Sequence, residues 1–337
     1  MADAAAFKGF LGVGVGGAGL ADLRAAKLAR TLFCRYYDLD FTENPNEVVD
    51  PTSGRSEPES VQLGNHDSRF KGTLEGTTSG PIPILARSAL GGALTTTTVG
   101  VTGKQHKVVL GDTPGIDDRL SLERNFGTAA DGDAQAINGI VSKLAYNAQQ
   151  VDARWEVEGL GSSPARVATA TSPTFPSVLA QMGQRFTTFT LDADATRPVR
   201  NFRWEIARQL TEDDFDVSSR QRRDATYKKL MATFRAEVVY QDMKDLRRFW
   251  GSVTATSPGD VEAYYGCTIK TERADVIAGG TAKHTVQFDA PKCFVKVEGI
   301  PLKAPDQVRL TLTGQAIYSP ADSKAVDLTF INDVAGY

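Results

Sequence analysis

The sequence predicts a mainly β protein built from antiparallel sandwich or barrel units. Three observations lead there. The first is alternation: Val151, Ala153, Trp155 and Val157 face one way while Asp152, Arg154, Glu156 and Glu158 face the other, a period of two that marks a strand with one buried and one wet face. The second is recurrence of that pattern through both halves of the chain without intervening long helices, which argues against an α/β fold. The third is composition. With 337 residues, 41% hydrophobic and 23% charged, the chain is an ordinary globular one of about two domains.

Taken in order, residues 1–20 are rich in Ala and Gly and read as a flexible arm. Leu23–Ala29 suggest a short helix, and Thr31–Phe41 read as strand. Thr42–Thr78 is polar and loaded with Pro, Gly, Ser, Asn and Asp, so it reads as a long loop of the kind ordered by a partner. Pro81–Leu90 has apolar residues at helical spacing, with Gly91 and Gly92 as the stop. A Thr-rich strand follows at Ala93–Thr102. Lys107–Leu110 and Arg119–Phe126 then form a hairpin-like unit joined through the turn GDTPGIDD. Ile140–Gly161 is a long hairpin, turning around Asn147–Gln150 and stopped by Gly159 and Gly161. Such a hairpin builds walls.

Ser162–Ser177 is a linker with three prolines. Beyond it, strands are expected at Phe186–Asp192, Asn201–Leu210 and Leu230–Tyr240. A short helix over Gln241–Trp250 ends at Gly251. Further strands are expected at Tyr264–Thr271, His284–Phe288, Phe294–Gly299, Val308–Ile317 and Ala325–Phe330.

The residues offer little chemistry. The net charge of −3 provides no broad basic field for tight nucleic-acid binding. Cys34, Cys267 and Cys293 are odd in number and widely spaced, so no disulfide framework is implied; Cys267 and Cys293 read as apolar fillers on neighbouring strands. His66, His106 and His284 share no metal spacing. Gly12–Gly19 (GVGVGGAG) invites comparison with a dinucleotide fingerprint but lacks a βαβ unit around it. GVTGK at Gly100–Lys104, followed by DTPG at Asp112–Gly115, invites comparison with a GTPase. Thr98 stands where the first Gly of a phosphate loop belongs, and Gln105 replaces the hydroxyl that would bind magnesium; DTPG reads as a turn. Asp117–Asp118 and Asp213–Asp214 read as solvated turn residues rather than glycosidase carboxylates. RQRRD at Arg220–Asp224 is basic and short, without interleaved aromatics. The expectation is therefore no catalytic, cofactor-binding or metal-binding residue, no cofactor and no enzymatic activity. No apolar run spans a bilayer and no signal peptide is visible, so a soluble protein made in a cytoplasm is expected.

Several stretches in order resemble the tail tube proteins (major tail proteins) of long-tailed bacteriophages. They are ILARSALGGAL, RLSLERNFG, NGIVSKLAYNAQQVDARWEVEGLG, ATATSPTFPS, VRNFRWEIARQL and ATFRAEVVYQDMKDLRRFWG, covering about residues 55–260. The resemblance implies two antiparallel sandwich or barrel domains of tube type, each with one short helix, after an N-terminal arm and a long loop. The division is then 1–54 for the arm and start of the loop, 55–165 for the first domain and 166–337 for the second. It implies a virion protein, assembled in the host cytoplasm, that stacks as rings into a hollow tube through which DNA passes without specific binding. Its partners would be copies of itself, in a trimeric ring of pseudo-sixfold symmetry, with a tape-measure protein inside the tube and terminator and tip proteins at its ends. No membrane partner is implied. Two other readings of the residues stand beside it: a β-sandwich carbohydrate-binding or adhesion module, and a nucleotide-binding enzyme using the Gly-rich segments.

Overall fold

A computed structural model describes residues 9–16, 31–49, 61–111, 115, 118–125, 134–148, 153–167, 175, 182, 187–192, 197–212, 215, 222–239, 247, 250, 252, 254–257, 264–299 and 309–337. The named strands of the first half are β1 (Phe10–Val15), β2 (Leu32–Val49), β3 (Val61–Glu75), β4 (Leu94–Val99), β5 (Gly103–Val109), β6 (Leu120–Asn125), β7 (Ala134–Ala148) and β8 (Ala153–Val167). The second half holds β9 (Thr187–Leu191), β10 (Arg197–Leu210), β11 (Tyr227–Val239), β12 (Tyr264–Val276), β13 (Lys283–Gly299), β14 (Arg309–Ala316) and β15 (Asp327–Asn332). The one named helix, α1 (Ile82–Leu90), lies between β3 and β4.

All strand pairs among the described residues are antiparallel, and twelve of the strands close into two rings. β9, β10, β11, β14, β13 and β12 pair in that order, and β12 returns to β9, making a closed six-stranded barrel. In the first half β1, β2, β3, β8, β7 and β6 pair in the same fashion, and β6 returns to β1. Closure leaves few open strand edges. Taken in sequence order, β1, β2, β3, β6, β7 and β8 have the same ring neighbours as β9, β10, β11, β12, β13 and β14. The two rings share one topology. They meet where Lys143–Ala148 of β7 pairs with Phe202–Ala207 of β10. A second tie runs from β13 through β15 to β5 and β4.

Alternation explains why these residues pack as they do. Tyr146, Trp155 and Trp204 are fully or almost fully buried, and their rings touch at centroid distances of 4.7 to 6.0 Å. Trp204 also stacks on Phe288 at 5.5 Å, and Trp155 lies 5.9 Å from Phe330, so one apolar core runs through both rings. The Trp155 Nε1–H donates to the Thr77 carbonyl at 2.9 Å, which satisfies the only polar atom of that side chain. Helix α1 is buried on nearly every side. Gly91 terminates it in the left-handed conformation at φ 67°, and its N–H donates to the Arg87 carbonyl.

Several expectations need correction. Phe10–Val15, read as part of a flexible arm, is a buried strand between β2 and β6; its Gly12 and Gly14 lie in the ladder. Most of the supposed loop Thr42–Thr78 is strand, because Thr42–Val49 and Val61–Glu75 pair as the ends of β2 and β3. That hairpin buries Leu39, Phe41, Phe70 and Leu74 on one side and leaves the polar residues on the other, so its few apolar residues suffice. β5 and β6 do not form a hairpin: β5 pairs with β4 and β15, and β6 with β1 and β7. Gly159 and Gly161 do not stop β8, which continues to Val167. The Phe70 ring fills the space above Gly159, where an added Cβ would meet its Cζ at 2.2 Å. His284–Phe288 and Phe294–Gly299 are one strand, β13, with Pro291 inside it and an irregular register beside it. The expected helices near residues 23–29 and 241–250 fall largely outside the described residues.

Two substitutions probe this packing. Trp155→Ala should destabilise the protein by about 3–5 kcal/mol, read as a lower denaturant midpoint. Gly159→Val should cost about 1–3 kcal/mol by pushing Phe70 out of its place, whereas Gly161→Ala, which meets the softer end of Ile137, should cost less.

Candidate functional surface

Eight strands form one continuous wall, in the order β2, β3, β8, β7, β10, β11, β14, β13. Side chains alternate across it. One face carries Phe41, Phe70, Trp155, Tyr146, Trp204, Phe234, Leu312 and Val295, all buried. The opposite face is polar, and the registers set its charges in rows. One row runs Asp40, Lys71, Glu158, Lys143 across four strands. The next two bring Glu156 beside Ala145 and Glu205, and Arg154 beside Asn147 and Arg203.

These charges are paired across the strands and across the meeting of the rings. Arg203 on β10 grips Glu156 on β8 through two bonds of 2.8 Å and reaches Glu205 at 2.9 Å. Lys143 on β7 lies 3.5 Å from Glu158 and 3.7 Å from Glu205, while Lys71 reaches Glu158 at 3.2 Å. Farther along, Glu237 accepts from Asn201 at 2.8 Å and from Arg309 at 3.0 Å, and Arg235 lies 3.2 Å from Glu298. Partial burial would raise the Glu158 carboxyl, but Lys71 and Lys143 outweigh that and hold it below its ordinary value. Partial burial would likewise lower Arg203, and Glu156 and Glu205 hold it up instead. Single exposed pairs of this kind contribute under about 1 kcal/mol each. Their larger effect is to match Lys71, Lys143 and Arg203 each to a carboxylate where the two rings meet.

A shallow groove crosses the wall beside Arg203, Thr233, Arg235, Lys296 and Gln315. It is open and lined by the ion-paired Arg203, Glu205 and Arg235 together with Lys296 and the uncharged Thr233, Thr313 and Gln315, with no nucleophile and base in contact. Among the described residues no group of three or more His, Cys, Asp or Glu side chains could hold a metal ion.

The residues weighed for chemistry have structural places. Gly100–Thr102 is the turn of the β4–β5 hairpin, with Gly100 at φ 65°, and Gly103 and Lys104 begin β5, where the Lys104 ammonium donates to Thr98 Oγ1 at 2.8 Å. Asp118 is buried; its carboxylate accepts the Gly115 N–H at 2.5 Å and lies 3.4 Å from Arg87 Nε. Asp112, Asp117, Asp213 and Asp214 fall outside the described residues. Arg222 is 1% exposed and cannot reach a phosphate. It donates to the Glu212 carbonyl at 3.0 Å and to Asp67 at 2.8 Å. Burial pushes Asp67 up, but Arg222 and Arg69 overcome it and hold the carboxyl low. Cys267 and Cys293 are buried on the adjacent strands β12 and β13, as expected of fillers, and Cys34 is buried on β2. Burial raises the Cys34 and Cys267 thiols.

Two histidines serve a buried polar network between the rings. The Asn332 carboxamide oxygen can only accept, so His106 donates to it through Nε2–H at 3.0 Å and accepts from Thr96 through Nδ1 at 2.9 Å. Asn332 donates to the Thr78 carbonyl at 2.8 Å, and Thr78 Oγ1 lies 3.2 Å from His284 Nδ1. Burial lowers both imidazoles, against the opposing pull of the Asn332 bond on His106.

No family model matches the chain, and no curated protein matches it either.

A folded-state pKa below the unfolded value makes stability fall with acidification. Stability should therefore be level between about pH 7 and 8, drop as the pH falls below the free imidazole value of 6.5, and fall again above about pH 8.5, where the unfolded chain releases thiol protons that the buried Cys34 and Cys267 retain. A second acid loss should follow below about pH 4, as the paired Asp67 and Glu158 take up protons. Thermal melting across a pH series measures these steps.

Proposed function

We propose that this chain is a structural subunit that assembles with copies of itself into stacked rings, forming a hollow conduit for DNA as in a phage tail. The observation that carries the reading is the eight-stranded wall, with a sealed apolar side and a polar side of paired charges running across both rings. In this reading the two rings are the two tube-type domains, and the division between them falls between β8 and β9. Three chains then supply six such units to one pseudo-sixfold ring, with the charged face of the wall toward the lumen.

The electrostatics support that orientation. DNA held by a lining of lysines and arginines would bind through counterion release and resist passage. Here Lys143, Lys71 and Arg203 are each matched to a carboxylate. Along this middle stretch of the wall a polyanion meets a wetted, balanced surface. The chain acts through its shape, without catalysis, cofactor or metal, within the virion after assembly in the host cytoplasm. A tape-measure protein would occupy the lumen during assembly, and terminator and tip proteins would cap the ends.

Electron micrographs of the concentrated protein test the reading. Rings or tubes with an open centre are expected, and a monomer at every concentration would overturn it in favour of a binding module. A charge variant tests the lining. Glu156→Lys with Glu205→Lys should leave assembly intact and create retention of a short DNA duplex that the parent protein lacks. That retention should weaken steeply with salt, with a slope in log–log form of about −0.9 for each phosphate contacted.

A further inference from the structure

Two of the three cysteines meet in the core. Cys267 on β12 is 2% exposed and Cys293 on β13 is 0% exposed, and both belong to the apolar interior. Their thiols share a hydrogen bond, which brings the two sulfurs into contact. Cys34 lies apart from them, on β2 of the first ring.

The backbone beside the pair is irregular. Tyr265 stands opposite Cys293 and Cys267 opposite Ala290, so three steps along β13 match two along β12. In a regular ladder, residues offset by two on neighbouring strands stand ~7–8 Å apart at Cα, just past the reach of a disulfide. The extra residue bends β13 and breaks that spacing. Gly266 is tied away from β13: its N–H donates to Asp192 Oδ1 at 2.6 Å, and its carbonyl accepts the Asp192 N–H at 2.8 Å. Pro291 has no N–H to give. The Lys292 carbonyl accepts from the Ile317 N–H at 2.8 Å, on the side of β14. These groups bond away from the seam of β12 and β13 or not at all, so the seam is least constrained beside the two cysteines.

We propose that Cys267 and Cys293 are a latent disulfide pair, closed by a low-molecular-weight disulfide into a staple across the β12–β13 seam of the second ring. The thiolate of one cysteine attacks a sulfur of the oxidant, breaks its S–S bond, forms a mixed disulfide and releases one small thiol. The second thiolate then attacks the protein sulfur of the mixed disulfide, forms the Cys267–Cys293 bond and releases the other small thiol. Both cysteine protons end on the small thiols, and the two electrons the pair gives up reduce the oxidant. Reducing compartments keep the pair as thiols, and oxidising surroundings close it. Burial raises the Cys267 thiol and shields both sulfurs, so closure takes place during folding or when the ring opens, not in the intact barrel. The link stabilises the ring by restricting the unfolded chain. It lies within one chain and does not depend on assembly.

The test refolds the chain from denaturant with glutathione and glutathione disulfide, blocks the remaining thiols with iodoacetamide under denaturing conditions, and weighs the product. Of the three cysteines, only one should be blocked, and digestion should yield peptides joined through Cys267 and Cys293. The bridged protein should melt above the same protein treated with a reductant. Cys34→Ala should form the same bridge and leave no thiol to block. Cys267→Ala and Cys293→Ala should each keep two blockable thiols, and reductant should not move their melting temperatures. A parent chain that regains a cooperative melt with all three thiols free would overturn the proposal. That outcome needs no substitution, so a variant that fails to fold does not obscure it. Joined peptides containing Cys34, or a bridged form that melts below the reduced one, would overturn it as well.

Discussion

The fold depends on one short backbone ladder, the pairing of Lys143–Ala148 with Phe202–Ala207. Without it the chain would be two rings, each exposing a strand edge and an aromatic flank to water. With it, Tyr146 and Trp204 sit directly opposite one another, and Trp155 and Phe288 pack onto them from either ring. The ladder also sets the polar face in register, so that Lys143 of one ring meets Glu205 of the other. Backbone hydrogen bonds, core continuity and charge pairing all cross at the same six residue pairs. A change in that register by one residue would turn every one of these side chains to the wrong face.

Strands β8, β10 and β11 were legible in the sequence because each separates a dry face from a wet one, and alternation records that separation directly. Phe202, Trp204 and Ile206 against Arg203, Glu205 and Ala207 is such a record. β1 was not legible, since Gly12 and Gly14 carry no side chain to mark a face and Leu11 and Val13 look the same in an arm as in a ladder. The second half of β2, from Thr42 on, and β3 read as loop in the sequence because strand pairing is a backbone property. Thr42, Glu43 and Asn44 show nothing of it, although each has a partner on β3. The polar face was visible one strand at a time, as Arg154, Glu156 and Glu158, but the cross-strand partners that neutralise it depend on registers between distant segments. Arg222 illustrates the opposite error: a basic run suggests a surface, and the middle of that run is a buried clasp on Glu212 and Asp67.

One buried polar network joins elements of the two halves of the chain. His106, Asn332 and Thr78 belong to β5, β15 and the segment before α1, and they satisfy one another in a region with little access to water. Such a network fixes relative placement more sharply than apolar packing does, because a displaced partner leaves a desolvated donor or acceptor behind. Arg208 contributes in the same way from β10, donating to the carbonyls of Leu90 and Gly111 at 2.6 Å each, beside the end of the helix. The halves are thus located by directional bonds and then sealed by aromatic rings.

The place of β15 bears on how the chain comes into being during synthesis. β5 emerges from the ribosome more than two hundred residues ahead of its partner, with Lys104 eventually opposite Asn332 and Val109 opposite Asp327. Until that late strand arrives, the β4–β5 hairpin has one edge unclaimed, and the channel through which β13 is tied to the first ring does not exist. Contacts between such distant segments are slow to form, since a long loop must close before they yield any stabilisation. The nascent protein therefore passes through a period in which its first ring can close while its connection to the second is still to come, and a helper that shields an exposed hairpin would act in that interval.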